Sequence, residues 1–425
     1  MQNEHSQLLI DIQKKSKITI KKVSDLKHLK EDVFTTTGKN ISFNTLRRLY
    51  GFLPHTTPSQ TTLKTLANYL SFSSYSSYLN NNQVYDNWYV YMKILKFQLN
   101  QSVLQSHEMD FINTALKNND NIVSISNYVG FLIREQKQES LHVFFENLNI
   151  KSLNNSNSSK FAIICSYAFY RLKKTEIIKL YKELIIHESF RTSIPFYFID
   201  YSNLNGYYLE VLNMIKELKI DASDYLFCCL MEFYKKYYSN DDIDDIEINL
   251  PKNNKNIFVV LKGRYYAYKL LKADRVDQKL KNNIKTELKT ARTNLLLIEI
   301  IPALIIKEEY EYLEKLFDSN YEQIFEVEIW TSSSTVANFL IGLATVNIFK
   351  GNFKAAHSNL DLVELDKIEL AYTDYISLFY YLTKIKLYYS EGSTEKVNEN
   401  YNKLELLANK MGFLRFITIA KKYIE

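Results

Sequence analysis

Asn44, Arg47 and Arg48 are the side chains of this chain whose types and spacing point to a specific task. They stand in Ile41-Ser42-Phe43-Asn44-Thr45-Leu46-Arg47-Arg48-Leu49-Tyr50. On a helix over 41–50, Phe43, Leu46, Leu49 and Tyr50 fall on one side as a buried set, and Asn44, Arg47 and Arg48 fall towards the other. Arginine pairs bidentately with guanine and asparagine with adenine. A helix that enters the major groove needs such an exposed set near its N-terminus. Lys39 in the preceding turn and Lys64 on the following helix could hold phosphates. Ser42, as the helix cap, would present backbone amides to a phosphate. The plainer reading is that Arg47 and Arg48 solvate an ordinary helix.

Other chemistry is thin. There is no Gly-rich phosphate loop, no HExxH and no GxSxG. The seven histidines are scattered without partners at ligand spacing, and His28, beside Lys27, reads as a surface residue. The run Asp241-Asp242-Ile243-Asp244-Asp245-Ile246-Glu247 lacks the glycine and spacing of a calcium loop and reads as a solvated loop. Cys165, Cys228 and Cys229 are odd in number, and the adjacent pair lacks the gap that zinc wants, so all three read as small buried hydrophobes. No catalytic residue, cofactor or metal is expected, and the chain reads as a non-enzyme.

The charge is unevenly placed. Residues 1–80 hold eleven Lys/Arg against five acids, an excess of six, while the remainder holds 42 against 43. The whole positive excess therefore surrounds the Asn44/Arg47/Arg48 segment, which is the electrostatic footprint of a nucleic-acid-binding module on a neutral body. The bland counterpart is a solvated lysine-rich surface. The first residues, MQNEHSQLLIDIQ, lack a basic region followed by an apolar one, so no signal peptide is read. The longest apolar run, Leu295 to Ile306, is broken by Glu299 and Pro302 and is too short to span a bilayer. A cytoplasmic protein is expected, with no membrane partner.

Stepping along residues 25–79, the grammar is that of three short helices. Thr37-Gly38-Lys39-Asn40 makes a turn, Ser42 caps the basic helix, Gly51 stops it, a loop with Pro54 and Pro58 follows, and Ser59 opens a helix carrying Leu63, Leu66, Ala67 and Leu70. The pattern resembles helix-turn-helix domains of the Xre/Cro type. It is closer still to a helix-turn-helix-like domain frequent at the N-terminus of regulatory proteins from Bacteroidota. The matching positions are Ile41-Ser42, Thr45-Leu46, Arg48-Leu49, Gly51, Pro58-Ser59, Thr62-Leu63, Leu66-Ala67, Tyr69-Leu70, Phe72 and Ser74. Tyr75 departs from the pattern, standing where a tryptophan is common. The resemblance covers roughly a fifth of the chain and implies DNA binding by Lys39, Ser42, Asn44, Arg47, Arg48 and Lys64.

Asn80-Asn81-Asn82-Gln83 reads as a hinge, and helical periodicity dominates from Val84 onward. Trp88, Tyr91, Met92, Leu95 and Leu99 form one apolar stripe. Breaks are expected at Lys117 to Asp120, Asn154 to Ser159, Ser239 to Asp245 and Asn253 to Asn256. An internal repeat lies near the end: Ala344, Asn347, Gly351, Ala356, Leu360 and Val363 recur 41 residues later as Ile385, Tyr388, Gly392, Val397, Tyr401 and Leu404. The first copy resembles a tetratricopeptide (TPR) unit, with a longer period than the ~34 residues of that family. Such units bury their apolar faces only by stacking. Nine glycines and five prolines in 425 residues also favour helices on helices over glycine-turn folds.

The sequence therefore predicts an all-α chain. Residues 1–80 form a small helix-turn-helix-like DNA-binding bundle. Residues 84–425 form a degenerate TPR-like α-solenoid of about eight or nine helix pairs. Its concave side, lined by Tyr- and Asn-rich first helices, suits an extended peptide or a partner helix. The expected function is a DNA-binding transcriptional regulator whose repeat region binds a peptide or protein partner, with double-stranded DNA as the other partner and a homodimer left open. The alternative is a non-enzymatic interaction scaffold whose N-terminal domain binds protein.

Overall fold

The computed structural model describes residues 5–54, 56–75, 78, 87–100, 102–149, 155–197, 199–218, 220–251, 257–289, 293–325 and 332–424. Among the described residues there are 22 α-helices and no strand. No helix among them is long and apolar enough to cross a membrane. The chain divides into two compact units, Met1–Tyr89 and Val90–Glu425. The expected hinge at Asn80–Gln83 and the expected break at Asn253–Asn256 lie outside the described residues.

The first unit holds α1 (Ser6–Ser16), α2 (Asp25–Thr37), α3 (Phe43–Leu49) and α4 (Gln60–Tyr69). Leu26, Leu29 and Val33 of α2, Leu46 and Leu49 of α3, and Leu63, Leu66 and Ala67 of α4 close one core. Leu8, Leu9 and Ile12 of α1 complete it. Their spacing puts three apolar side chains on one face of a short helix, a pattern that the sequence reading used only to exclude a signal peptide.

The second unit runs from α5 (Asn87–Leu99) through α6 (Ser106–Ala115), α7 (Ile122–Arg134), α8 (Gln138–Asn147), α9 (Asn155–Phe169), α10 (Lys174–Leu184), α11 (Glu188–Ser193), α12 (Tyr207–Lys216) and α13 (Ala222–Ser239). It continues through α14 (Val259–Lys272), α15 (Gln278–Leu288), α16 (Thr293–Lys307), α17 (Tyr310–Phe325), α18 (Ser333–Phe349), α19 (Phe353–Asp361), α20 (Leu370–Ser390), α21 (Thr394–Met411) and α22 (Leu414–Lys421). Three expectations need correction. Asn155–Ser159 is not a break but the first turns of α9, where weak helix formers are carried by the buried Phe161, Ala162 and Cys165 that follow. On α5 the buried residues are Val90 and Ile94, whereas Trp88, Tyr91 and Leu99 are exposed; this helix is apolar on two sides, and periodicity alone does not choose between them. Cys165 and Cys228 are buried thiols, but Cys229 is only half-buried.

From α14 onward the helices alternate in two rows. α14, α16, α18 and α20 pack each on the next. Gly351 closes α18 and Gly392 closes α20, both at positive φ (72° and 74°). In each case the glycine N–H and the next N–H return to the last turn: Gly351 to Ile348 and Asn352 to Asn347, then Gly392 to Tyr389 and Ser393 to Tyr388. Ala356 and Val397 are both buried, each the fourth residue of its returning helix, as the 41-residue repeat implies.

Neighbouring first helices approach most closely at Gly263. A Cβ there would stand 2.6 Å from the Leu296 carbonyl oxygen. Beside this crossing Arg264 Nε donates to Glu299 Oε1 at 3.0 Å, both side chains being buried. Tyr201 donates to the other carboxylate oxygen at 3.1 Å. Its ring stacks on Tyr375 of α20 with centroids 4.1 Å apart. Tyr375 in turn shares a hydroxyl hydrogen bond with Tyr238 of α13 at 2.9 Å, and Tyr238 packs on Phe413 and Phe416 at the C-terminal end. Tyr375 of α20 is thus covered by the chain's own side chains, whereas Tyr380, Tyr381 and Tyr388 further along the helix are half-buried and Tyr389 is exposed.

Lys386 of α20 is also buried. Its Nζ donates to Tyr310 Oη at 2.7 Å and to the Ile305 carbonyl at 3.3 Å, and stands 3.5 Å from Glu308. Burial pulls its pKa down to about 8, against the opposing pull of Glu308.

Two outcomes follow from this packing. Gly263→Ala should lower stability by ~1–3 kcal/mol through overpacking, although alanine is the better helix former. Gly130→Ala is the control, since a Cβ there meets only ordinary contacts of 3.4 Å and beyond; it should be neutral or stabilising in the same thermal denaturation. Lys386 should show a pH signature. Its folded pKa lies below its unfolded one, so between about pH 8 and 10 the unfolded chain holds more protons and stability rises with pH. Relative to Lys386→Met, the parent should gain up to about 3 kcal/mol across that window. Urea denaturation of both chains at several pH values measures the difference, and equal slopes would refute the assignment.

Candidate nucleic-acid interface

The candidate site is built on α3. Ser42 sits at its N-cap in extended conformation, and its Oγ accepts from Thr45 N–H at 3.1 Å and shares a hydrogen bond with Thr45 Oγ1 at 2.8 Å. The cap expected from sequence is present, and its hydroxyl is engaged within the helix. At the other end Gly51 adopts φ 78°, with Gly51 N–H on Arg48 O and Phe52 N–H on Arg47 O. That stop fixes the length of α3 and turns the chain away from it.

Leu46 and Leu49 enter the core, and Phe43 and Tyr50 pack against it. Asn44 is exposed, and Arg47 and Arg48 are half-buried along the helix surface. Arg47 Nη1 donates to Asn44 Oδ1 at 3.4 Å, one turn back, so two of the expected base-reading groups touch each other. Arg47 Nε is buried without a hydrogen-bond acceptor among the described residues. Arg48 makes no hydrogen bond or ion pair through its side chain among the described residues. Lys39 follows the left-handed Gly38 in the α2–α3 turn and is exposed. Lys64 is exposed on α4, whose cap Ser59 accepts from Thr62 N–H at 3.2 Å. The connection from Tyr50 to Ser59 is ten residues long, where a helix-turn-helix joins its helices with three to four.

The acids of this unit explain its field. Asp25 Oδ2 accepts from the backbone N–H groups of Lys21 and Lys22, both at 2.9 Å, and these bonds hold its carboxyl below the usual range. Asp32 accepts from the Tyr69 hydroxyl. Asp11 accepts from Tyr78 at 2.9 Å and has one loose ion pair, with Lys14 at 3.7 Å. Three of the five acids therefore serve neutral donors. Lys14 is the one Lys or Arg of the first 80 residues in an ion pair among the described residues. All the other ion pairs found there lie in the second unit, from Lys174–Glu210 to Lys422–Glu308.

Sequence reasoning missed the part played by Lys15. Its Nζ donates to the Tyr69 carbonyl and to Ser71 Oγ, tying α1 to the end of α4, and it also lies 5.1 Å from the Tyr69 ring centre. Ser71 is held at positive φ (74°) there. The signal was a lysine three residues after the Leu8/Leu9/Ile12 face, which only the tertiary contact makes meaningful.

No group of three or more His, Cys, Asp or Glu side chains that could hold a metal occurs among the described residues. Burial pushes the thiols of Cys165, Cys228 and Cys229 up, away from the reactive thiolate. His28 is exposed on α2. What the surface offers is a set of uncompensated cations on a small helical scaffold. No family model, curated protein or solved structure matches the chain.

The Tyr69–Asp32 bond ties α4 to α2 and keeps the Asp32 carboxylate away from the lysines. Burial and the neighbouring Asp32 raise the Tyr69 pKa. Tyr69→Phe should cost about 1–3 kcal/mol of stability, because a half-buried carboxylate loses its donor. Asp32→Asn in the Tyr69→Phe background should cost much less than in the parent. A double-mutant cycle by thermal denaturation checks this, and strict additivity would show that the bond contributes nothing.

Proposed function

We propose that the chain is a cytoplasmic DNA-binding regulator, in which the first unit binds double-stranded DNA and the helical-repeat second unit binds a peptide or protein partner. The observation that supports the first half is the field of the N-terminal unit. All of its lysines and arginines but Lys14 are without a carboxylate partner among the described residues, and three of its five acids accept from backbone amides or tyrosine hydroxyls. Such a surface releases counterions from a phosphate backbone when it binds. Arg48, exposed Asn44 and the Asn44–Arg47 pair supply the base-reading chemistry; Lys39 and Lys64 supply phosphate contacts. In this reading the bundle is helix-turn-helix-like with a long α3–α4 connection, and the alternating rows of α14 to α21 are degenerate TPR-like units.

The ten-residue connection favours a second reading in one respect. It leaves α3 and α4 without the tight turn of a helix-turn-helix pair, although the connection that precedes α3, Gly38 to Ser42, is five residues long, and a protein-binding bundle on a non-enzymatic scaffold has no need of such a turn. The two readings differ in their DNA affinity.

Selection of bound fragments from genomic DNA with the full-length chain should return a shared sequence. Arg48→Ala should weaken binding to that site by ~1–3 kcal/mol and relax base preference. Lys64→Ala should instead weaken all duplexes alike and reduce the salt slope by about one. Arg47→Ala should affect both binding and stability, since its stem is packed on the bundle. If no duplex binds better than about micromolar at low salt, the scaffold reading replaces the regulator.

A further inference from the structure

A partner of the second unit needs an accessible surface of matching chemistry. One is present between α15 and α17. These helices are successive members of the outer row, and they leave a cleft of about 760 Å³ between them. Its lining is polar and basic: Lys281, Lys285 and Lys289 stand along one wall and Lys315 on the other, with Glu311 the single acid.

The lysines are unevenly engaged. Lys281 is held by Glu309 at 2.7 Å and lies over Tyr312, 5.2 Å from the ring centre. Lys285, Lys289 and Lys315 are exposed and have no ion pair among the described residues. Some nearby acids are bound elsewhere, Glu314 to Lys350, Glu287 to Lys262 and Glu308 to Lys386 and Lys422, whereas Glu311 and Asp318, one turn to either side of Lys315, make no ion pair among the described residues. Three cations without an ion pair thus stand together at one cleft.

Their spacing is regular. Residues i and i+4 on a helix are ~6 Å apart along the axis. Side chains i and i+2 of an extended peptide are ~6.6 Å apart and point the same way. The ladder Lys281, Lys285, Lys289 therefore matches carboxylates at alternate positions of an extended chain. The amides beside it match a peptide backbone. Asn282 Oδ1 is taken by Gln278 and Asn320 Nδ2 donates to Leu316 O, which leaves one donor, Asn282 Nδ2, and one acceptor, Asn320 Oδ1, unengaged among the described residues. A single-stranded nucleic acid would want several aromatic platforms. The cleft has Tyr312 alone, and its hydroxyl is bound to Lys281 O at 3.2 Å.

We propose that the α15/α17 cleft binds an extended acidic peptide segment with carboxylates at every second residue. This rests on the reading of the second unit as a partner-binding repeat region and names the site and the chemistry of the partner. The carboxylates lie on Lys285 and Lys289 in turn, Lys281 stays on Glu309 at the end of the ladder, Lys315 closes from the opposite wall, and the Asn282 and Asn320 amides hold the backbone.

The test is fluorescence anisotropy with the full-length chain and a labelled peptide of about ten residues alternating Glu and Ser. Saturable binding is expected at low salt and should weaken as salt rises. Lys285→Glu with Lys289→Glu should weaken it by about tenfold or more. Asn282→Ala should weaken it by a few fold without changing the salt dependence. The same peptide with Gln for Glu should not bind. The two lysines are exposed and unpaired, so an unchanged melting curve is expected for the double variant. Equal peptide binding by the parent and the double variant overturns the cleft, and no binding by the parent overturns the acidic partner. If a randomised peptide library is retained equally by parent and double variant, the cleft is refuted while the partner-binding reading stands. If neither retains any peptide, both fall. A DNA duplex that binds the parent and not the double variant would make this a nucleic-acid surface and would equally overturn the proposal.

Discussion

The Arg264–Glu299 ion pair is the constraint around which the second unit is arranged. Both groups are buried, and each would be costly alone; removing one partner of such a pair typically costs 3–5 kcal/mol. The pair needs α14 and α16 in near contact, and that contact exists because residue 263 is glycine. It also needs its second carboxylate oxygen satisfied, which brings Tyr201 in from the chain between α11 and α12. Tyr201 then fixes Tyr375, Tyr375 fixes Tyr238, and Tyr238 receives the C-terminal phenylalanines. One buried charge thereby recruits segments from four parts of the sequence.

The first unit solves its charge problem in the opposite way. It has too few acids to neutralise its lysines, and the acids it has are directed to amide and phenol donors. A carboxylate that accepts from a tyrosine or a backbone N–H is still negative, but it is tied to the bundle and does not fold a lysine down against it. The exposed ammonium groups keep their freedom and their field. Screening limits that field to roughly a Debye length, ~8 Å at physiological salt, so it acts only on a partner that comes into contact. A polyanion with regularly spaced phosphates is such a partner.

The helical architecture was legible because its signals are local. Ser42, Ser59, Gly51, Gly351 and Gly392 each mark a helix end through their own conformational or capping chemistry, and each is found at that end. The apolar set of α2 to α4 was legible for the same reason. What stayed hidden depends on partners distant in sequence. Glu299 reads as an interruption in an apolar run until Arg264 is placed beside it, 35 residues away. Trp88 and Tyr91 read as a core stripe until Val90 and Ile94 are seen to be the buried ones. The candidate site divides along the same line. Asn44, Arg47 and Arg48 could be put on one helix from their spacing, but the Asn44–Arg47 contact and the half-burial of both arginines depend on side-chain packing that no spacing encodes.

Lysine is used in three ways in one chain, and neighbours rather than residue type decide which. Lys386 is desolvated and held by a carbonyl, a phenol and a carboxylate, so its charge is a structural liability that the packing tolerates. Most lysines that form ion pairs in the second unit are half-exposed and adjust to their carboxylates. Lys285, Lys289 and Lys315, like the lysines of the first unit other than Lys14 and Lys15, have neither. A surface charge costs little to leave unpaired in water, so its lack of a partner is not evidence by itself. The cleft differs because its cations repeat at one helical turn and face a second polar wall. Repetition at fixed spacing is what converts weak single contacts into recognition, since each added contact then orders no new part of the site.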